Sequence, residues 1–87
     1  MRFEFDAAKS KANFAKQGMD FEMARELWFD VEGLVAPSRY LKEPRRLLIA
    51  QREGKLWTAI FTERGGAIRI ISVRRSRDHE RTAYYEQ

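Results

Sequence analysis

The sequence contains no cysteine. That excludes disulfides, thiolate zinc sites and cysteine nucleophiles together, and it accords with a reducing compartment. Histidine occurs once, at His79, so no histidine pair is available to a metal ion. There is no phosphate-binding glycine loop, no dinucleotide fingerprint and no zinc-helix motif. No run of residues approaches the ~18 apolar positions of a membrane-spanning helix. The opening stretch MRFEFDAAKSKANF carries acidic residues and no apolar centre, so it is not read as a secretory signal. Prolines number two and glycines five, which fits short loops, and there is no internal repeat or low-complexity tract.

What remains is an ordinary globular composition, 44% hydrophobic and 34% charged, in 87 residues. That length predicts one domain over residues 1–87. Such a chain buries only about 60–65% of the surface its unfolded form exposes, so the core is modest. The net charge is +4, and beyond Leu56 every formal cation is an arginine: Arg64, Arg69, Arg74, Arg75, Arg77 and Arg81. Arginine grips phosphate through a planar, bidentate fork that lysine lacks. A basic balance of this kind favours an anionic partner.

Along the chain, RFEF alternates like a short strand. Asp6 is placed to cap a helix running to Gln17, with Gly18 as its stop. Asp20 is placed to cap a second helix, FEMARELWFD. There Phe21, Ala24, Leu27, Trp28 and Val31 form an apolar stripe, read as core. GLVAP reads as a strand ended by proline, SRYLKEPR as an irregular loop, and RLLIAQ as a strand turned at Glu53-Gly54. KLWTAIFTER and AIRIISVR form a hairpin about Gly65-Gly66, where a primed turn needs positive φ. Ser76 or Asp78 caps a last helix, HERTAYYEQ. The order is βααββββα at most. The fold class is α+β: two N-terminal helices, a three- to four-stranded antiparallel sheet and a C-terminal helix.

Strict alternation through the hairpin sorts its side chains into two faces. Trp57, Ala59, Phe61, Ile68, Ile70, Ser72 and Arg74 share the better core face. Thr58, Ile60, Thr62, Arg64, Arg69, Ile71 and Val73 share the other. Lys9, Asn13 and Gln17 make a polar stripe on the first helix at four-residue spacing, and periodicity alone reads it as a solvated face. Arg77, Arg81 and Tyr84 (or Tyr85) share a face of the last helix. Tyr84 there either stacks on a base or donates a proton, or else closes the core. His79 reads as a solvated helix histidine, with a catalytic role as the alternative because histidine ordinarily titrates near neutral pH.

Three separated pieces carry a resemblance: FEFDAAKSKANFAKQGMDFEMA, TERGGAIRIISVRR and ERTAYYE. Together they contain F-x-F-D-x-x-K-x-x-x-N, G-x-x-F-E-x-A, T-E-R-G, R-I-I-S-x-R and a final E-R. In order and spacing the chain resembles the BrnT toxins of type II toxin–antitoxin systems, a family related in fold to the RelE/ParE toxins. The resemblance covers nearly the whole chain, with gaps only around 33–44. It implies a RelE-like fold and a cytoplasmic, metal-independent endoribonuclease without cofactor. It also implies an RNA substrate, a cognate antitoxin with a ribbon-helix-helix domain, operator DNA bound through that antitoxin, no membrane, and a dimer or heterotetramer in the complex. By similarity it points to Lys9, Arg64, Arg69, Arg74 and Tyr84 as catalytic. Asn13 and Arg45 (or Arg46, one position on) are carried over as well. Asn13, Arg45, Gln17, Arg77 and Arg81 are the candidates for holding RNA. Two positions depart from the family pattern: Gln17 stands where a histidine is usual, and Ala50 where a glycine is common.

Such cleavage uses the 2′-hydroxyl against the adjacent phosphorus. Arginines suit the charge that develops there, and the expected division of labour is Arg64, Arg69 and Arg74 on phosphate with Lys9 and Tyr84 moving protons. Glu63, Glu80 and His79 are alternative bases. Two other readings stand beside it. One is a catalytically degenerate RelE/ParE-like module acting through an antitoxin, operator or protein target, which Gln17 favours. The other is a generic nucleic-acid-binding domain built on the basic hairpin with Trp57, Tyr84 and Tyr85.

Overall fold

Asp6 starts the first helix, α1 (Ala7–Gln17). Its backbone is extended and its side chain accepts the Lys9 backbone N–H at 3.0 Å. Gly18 ends the helix in the left-handed region at φ 82°, where a side chain would be strained. These elements belong to a computed structural model that describes residues 1–38 and 44–87. The irregular loop expected across 38–45 lies largely outside the described residues.

The second helix is shorter than the sequence suggests. Asp20 caps α2 (Phe21–Ala24) through the Met23 N–H at 2.7 Å, and the chain then tightens into a 3-10 helix, Arg25–Phe29. The spacing of the apolar stripe explains the change. Phe21, Ala24 and Leu27 repeat every three residues, which a 3-10 helix places in line, and all three are fully buried. Val31, assigned to the same stripe, falls beyond the helix end and is 94% exposed.

One five-stranded sheet follows, built from β1 (Arg2–Glu4), β2 (Leu34–Pro37), β3 (Arg46–Arg52), β4 (Lys55–Arg64) and β5 (Ala67–Arg75) in the order β1-β5-β4-β3-β2. β2 to β5 are antiparallel neighbours, whereas β1 lies parallel to β5, with Phe3 opposite Ile68 and Glu4 opposite Arg69. This corrects the expected RelE-like arrangement of two full N-terminal helices on a three- to four-stranded antiparallel sheet: the sheet is mixed and has five strands. The class remains α+β. Three residues are too few to announce a sheet partner. What draws β1 to the far edge is Phe3, packed edge-on against Trp28, and Phe5 against Phe21.

The two faces of the sheet carry different layers. α1, α2 and the 3-10 helix cover one, over a core of Met19, Phe21, Leu27, Leu48, Trp57, Phe61, Ile70 and Val73. The last helix, α3 (Asp78–Glu86), covers part of the other through Tyr84, against Ile49 and Leu56. Asn13 fastens α1 to β5. Its amide donates to the Met19 carbonyl at 2.7 Å and the Val73 carbonyl at 3.0 Å, and its Oδ1 accepts the Val73 N–H at 3.3 Å. β1 ends before it reaches Val73, so Asn13 supplies the hydrogen bonds that a longer strand would have made.

The β4–β5 hairpin turns at Gly65 (φ 53°) and Gly66 (φ 80°), the primed geometry expected. Its alternation does not run unbroken. Phe61 pairs with Ile70 but Ile60 pairs with Ser72, so Ile71 is an extra residue on β5. Beyond that bulge every face assignment on β5 inverts. Val73 goes to the helix-covered core, and Arg74 goes to the opposite face with Arg64 and Arg69.

Candidate functional site

The bulge puts three arginines of the hairpin on one sheet face. Arg64 lies opposite Ala67 and Arg69 opposite Thr62 near the turn, and Arg74 lies opposite Thr58 near α3. Four residues lie between Arg69 and Arg74, which sets them roughly 15 Å apart along the strand. Between them the face carries Ile60 and Ile71, both half-buried, with Ser72 beside Ile60.

α3 covers this face incompletely and leaves a cavity of about 800 Å³. Its floor is aliphatic: Leu34 and Ala36 from β2, Leu47 and Ile49 from β3, Ile60 from β4 and Ile71 from β5. Its charged and titratable lining is Arg45, Arg74, Arg77, His79 and Glu80. Arg45 arrives from the residue before β3, Arg74 from the end of β5, and Arg77 and His79 from the start of α3. Arginines around an apolar floor suit a ligand with a phosphate and a flat, poorly hydrated part, as a nucleotide has.

Arg74 is the most rigidly held member. Its Nη1 and Nη2 donate to Glu80 Oε1 and Oε2 at 2.8 and 2.9 Å, and Nη1 also reaches the Arg75 carbonyl at 3.3 Å. Glu80 is 3% exposed and accepts two further hydrogen bonds, from Thr58 Oγ1 at 2.9 Å and from the Arg77 backbone N–H at 2.8 Å. Burial alone would raise the Glu80 pKa. The Arg74 hydrogen bonds, the Arg77 N–H and the Thr58 hydroxyl outweigh it and bring the carboxyl down to about 2. Glu80 is therefore a fixed anion, unsuited to act as the base that the sequence allowed.

The remaining sequence candidates are dispersed. Arg64 is exposed at the end of β4 and makes no ion pair among the described residues. Arg69 approaches Glu4 at 3.8 Å. Lys9 is exposed on α1, outside the cavity lining. Lys9 and Arg69 do share a neighbour: the Lys9 backbone N–H, then the charges of Lys9 and Arg69, hold the Asp6 carboxyl below its ordinary value. Asn13 faces inward, with its amide committed to Met19 and Val73. Gln17 is exposed at the end of α1. Arg81 bonds to the Ser76 carbonyl at 3.1 Å and to Asp78.

Tyr84 is 7% exposed and donates its hydroxyl to Asp30 Oδ2 at 2.7 Å. Burial, then the hydrogen bond and charge of Asp30, push its pKa up to about 12, and it does not line the cavity. Of the ten candidates only Arg45, Arg74 and Arg77 line the cavity, where His79 and Glu80 also stand. The signal that could have promoted His79 is its place in the same turn as Arg77. Among the described residues no three His, Asp or Glu side chains gather as a metal site.

Fold and cavity together define a small α+β protein with a concave face lined by aliphatic residues and arginines. The family comparison is more specific. Residues 5–80 match the family model of the ribonuclease toxin BrnT of type II toxin–antitoxin systems, and the chain belongs to that family. Membership makes RNA its target and an antitoxin its partner. No curated protein matches the chain. No helix among the described residues is long and apolar enough to cross a membrane.

Proposed function

We propose that the protein is a metal-independent endoribonuclease that cuts RNA in the cavity between the sheet and α3. The observation that carries this reading is a concave, largely aliphatic face whose lining includes Arg45, Arg74, Arg77 and His79. The 2′-oxygen bonds to the adjacent phosphorus as the bond to the 5′-oxygen breaks. The products are a 2′,3′-cyclic phosphate and a free 5′-hydroxyl. The arginines stabilise charge developing on the phosphate oxygens, each well-aimed donor giving about 10²–10³ in rate. His79 protonates the leaving 5′-oxygen, a step worth about 10²–10⁴, while the 2′-proton passes to water. Arg69 and Arg64 continue the cationic face beyond the cavity and hold the RNA backbone there.

The protein acts in the cytoplasm and arrests growth. Its partner is an antitoxin with a ribbon-helix-helix domain, which carries a dimeric or heterotetrameric complex to operator DNA. Family membership supports this part of the reading.

Gln17 favours a second reading, a catalytically degenerate module that binds without cutting, because the family usually has a histidine there. One experiment separates the two. Purified protein is incubated with end-labelled RNA in the presence of EDTA. Cyclic-phosphate-ended products, lost on the order of 10²-fold in His79→Ala, are expected. RNA binding without products would overturn the nuclease reading in favour of the module.

A further inference from the structure

Glu80 sits at the centre of an arrangement that helix anchoring alone does not require. It is almost fully buried at the edge of the cavity, and its fork partner, Arg74, lines the same cavity with its side chain 20% exposed. Both Glu80 oxygens are engaged by Arg74, and Thr58 Oγ1 and the Arg77 N–H lock the carboxylate from behind. Thr58 Oγ1 is itself 2.9 Å from Ser76 Oγ. A guanidinium has five N–H donors. In Arg74 the Nε–H and one Nη2–H have no partner among the described residues. Arg74 thus presents donors whose directions are fixed before any ligand arrives.

We propose that Glu80 is a positioning residue of the cleavage reaction, acting through Arg74 to hold its remaining donors aimed at the phosphate as charge develops there. The inference rests on the reading of this cavity as the cleavage site. The charges of Arg74 and Glu80 cancel at close range, so the pair adds little to the long-range attraction of RNA. What it adds is direction, and direction matters in the transition state more than in the encounter. Removing the Glu80 charge therefore moves the two kinetic constants differently. The cavity becomes more positive, so RNA binds as well or better. The Arg74 donors lose their aim, and a misplacement of about 1 Å costs on the order of 10²-fold in rate.

The test is steady-state cleavage of a short RNA by wild type, Glu80→Gln, Glu80→Asp and Asp30→Asn, each below its own melting temperature. Glu80→Gln is expected to lower kcat on the order of 10- to 100-fold with KM unchanged or lower. Glu80→Asp, which keeps a carboxylate for the fork, recovers part of kcat. Asp30→Asn loosens the other anchor of α3, at Tyr84, and is expected to lower stability without the kcat loss. If Glu80→Gln does not fold, Thr58→Val removes one hydrogen bond from Glu80 while keeping the pair, and it lowers kcat a few-fold at unchanged KM. A wild-type kcat in the Glu80 or Thr58 variant, or an equal loss in Asp30→Asn, overturns the inference and leaves the nuclease standing. Failure of wild type to cleave overturns both.

Discussion

Glu80 should also dominate how the fold responds to acid, and the size of the effect follows from its surroundings. Its carboxyl stands at about 2 in the folded protein against an ordinary 4.5. A displacement of that size corresponds to about 3 kcal/mol of folding free energy. The sign is that of a depressed acid. The contribution is complete above the unfolded value, near pH 4.5, and disappears as pH falls through the folded value, near 2. For a domain stable by about 5–15 kcal/mol this is a large share, equivalent to roughly 12–24 °C in melting temperature at this chain length. The assay is urea unfolding of wild type and Glu80→Gln at closely spaced pH values from 7 downward (about half-unit steps suffice to resolve the window). Asp6 and Asp30, whose carboxyls are also depressed, are present in both proteins and cancel in the difference. The stability difference should be flat above about pH 5 and then shrink by about 3 kcal/mol toward pH 2. A difference that stays constant across that range would refute the account of Glu80 as a buried, fully hydrogen-bonded anion.

Other outcomes follow from the same coordinates. Asn13→Ala removes two hydrogen bonds from α1 to Val73 on β5 and one to the Met19 carbonyl, and should cost about 2–3 kcal/mol in urea unfolding. Its folded fraction should still bind RNA normally, and a selective loss of RNA affinity would instead place Asn13 at the ligand. Tyr84 should ionise near pH 12 in a titration followed by phenolate absorbance. Because its folded pKa is raised, the stability it gives is complete below pH 10, its ordinary value, and is lost as pH climbs to about 12. Tyr84→Phe should abolish the step near pH 12. The double variant Arg64→Ala with Arg69→Ala should reduce the salt dependence of binding to an uncleavable 2′-deoxy-substituted strand. The log–log slope should change by about 1.4 if each arginine meets one phosphate, as fluorescence anisotropy would measure. An unchanged slope would remove both residues from the RNA path.

How far the sequence reaches is itself a physical matter. Asp6 and Asp20 were legible because capping is local: a side chain bonds to a backbone group three residues away. Gly18 was legible because a left-handed stop favours glycine. The Gly65-Gly66 turn was legible because only particular residues tolerate positive φ twice in succession. The pairing of β1 with β5 was not, because its cause lies in Phe3 and Phe5 finding Trp28 and Phe21 across the fold. The inward turn of Asn13 was hidden for the same reason: a polar stripe on a helix looks identical whether it meets water or the open edge of a strand.

The bulge at Ile71 had the largest consequence for the site. Period-two counting is reliable only while the ladder is unbroken, and one added residue exchanges the faces of everything after it. Counting alone puts Arg74 on the core side, able to leave toward a rim only because it is at the strand's end, and puts Val73 on the other face. The structure does the reverse, and the exchange brings Arg74 to Glu80 and to the cavity lining shared with Arg77 and His79. The irregularity that defeats the alternation is thus what assembles the cavity. Without the bulge, Arg74 would point into the packed side of the sheet, where an unpaired guanidinium is untenable. Deleting Ile71 is therefore expected to damage the fold and the site together, whereas substituting it with Val, which keeps the residue count, should spare both.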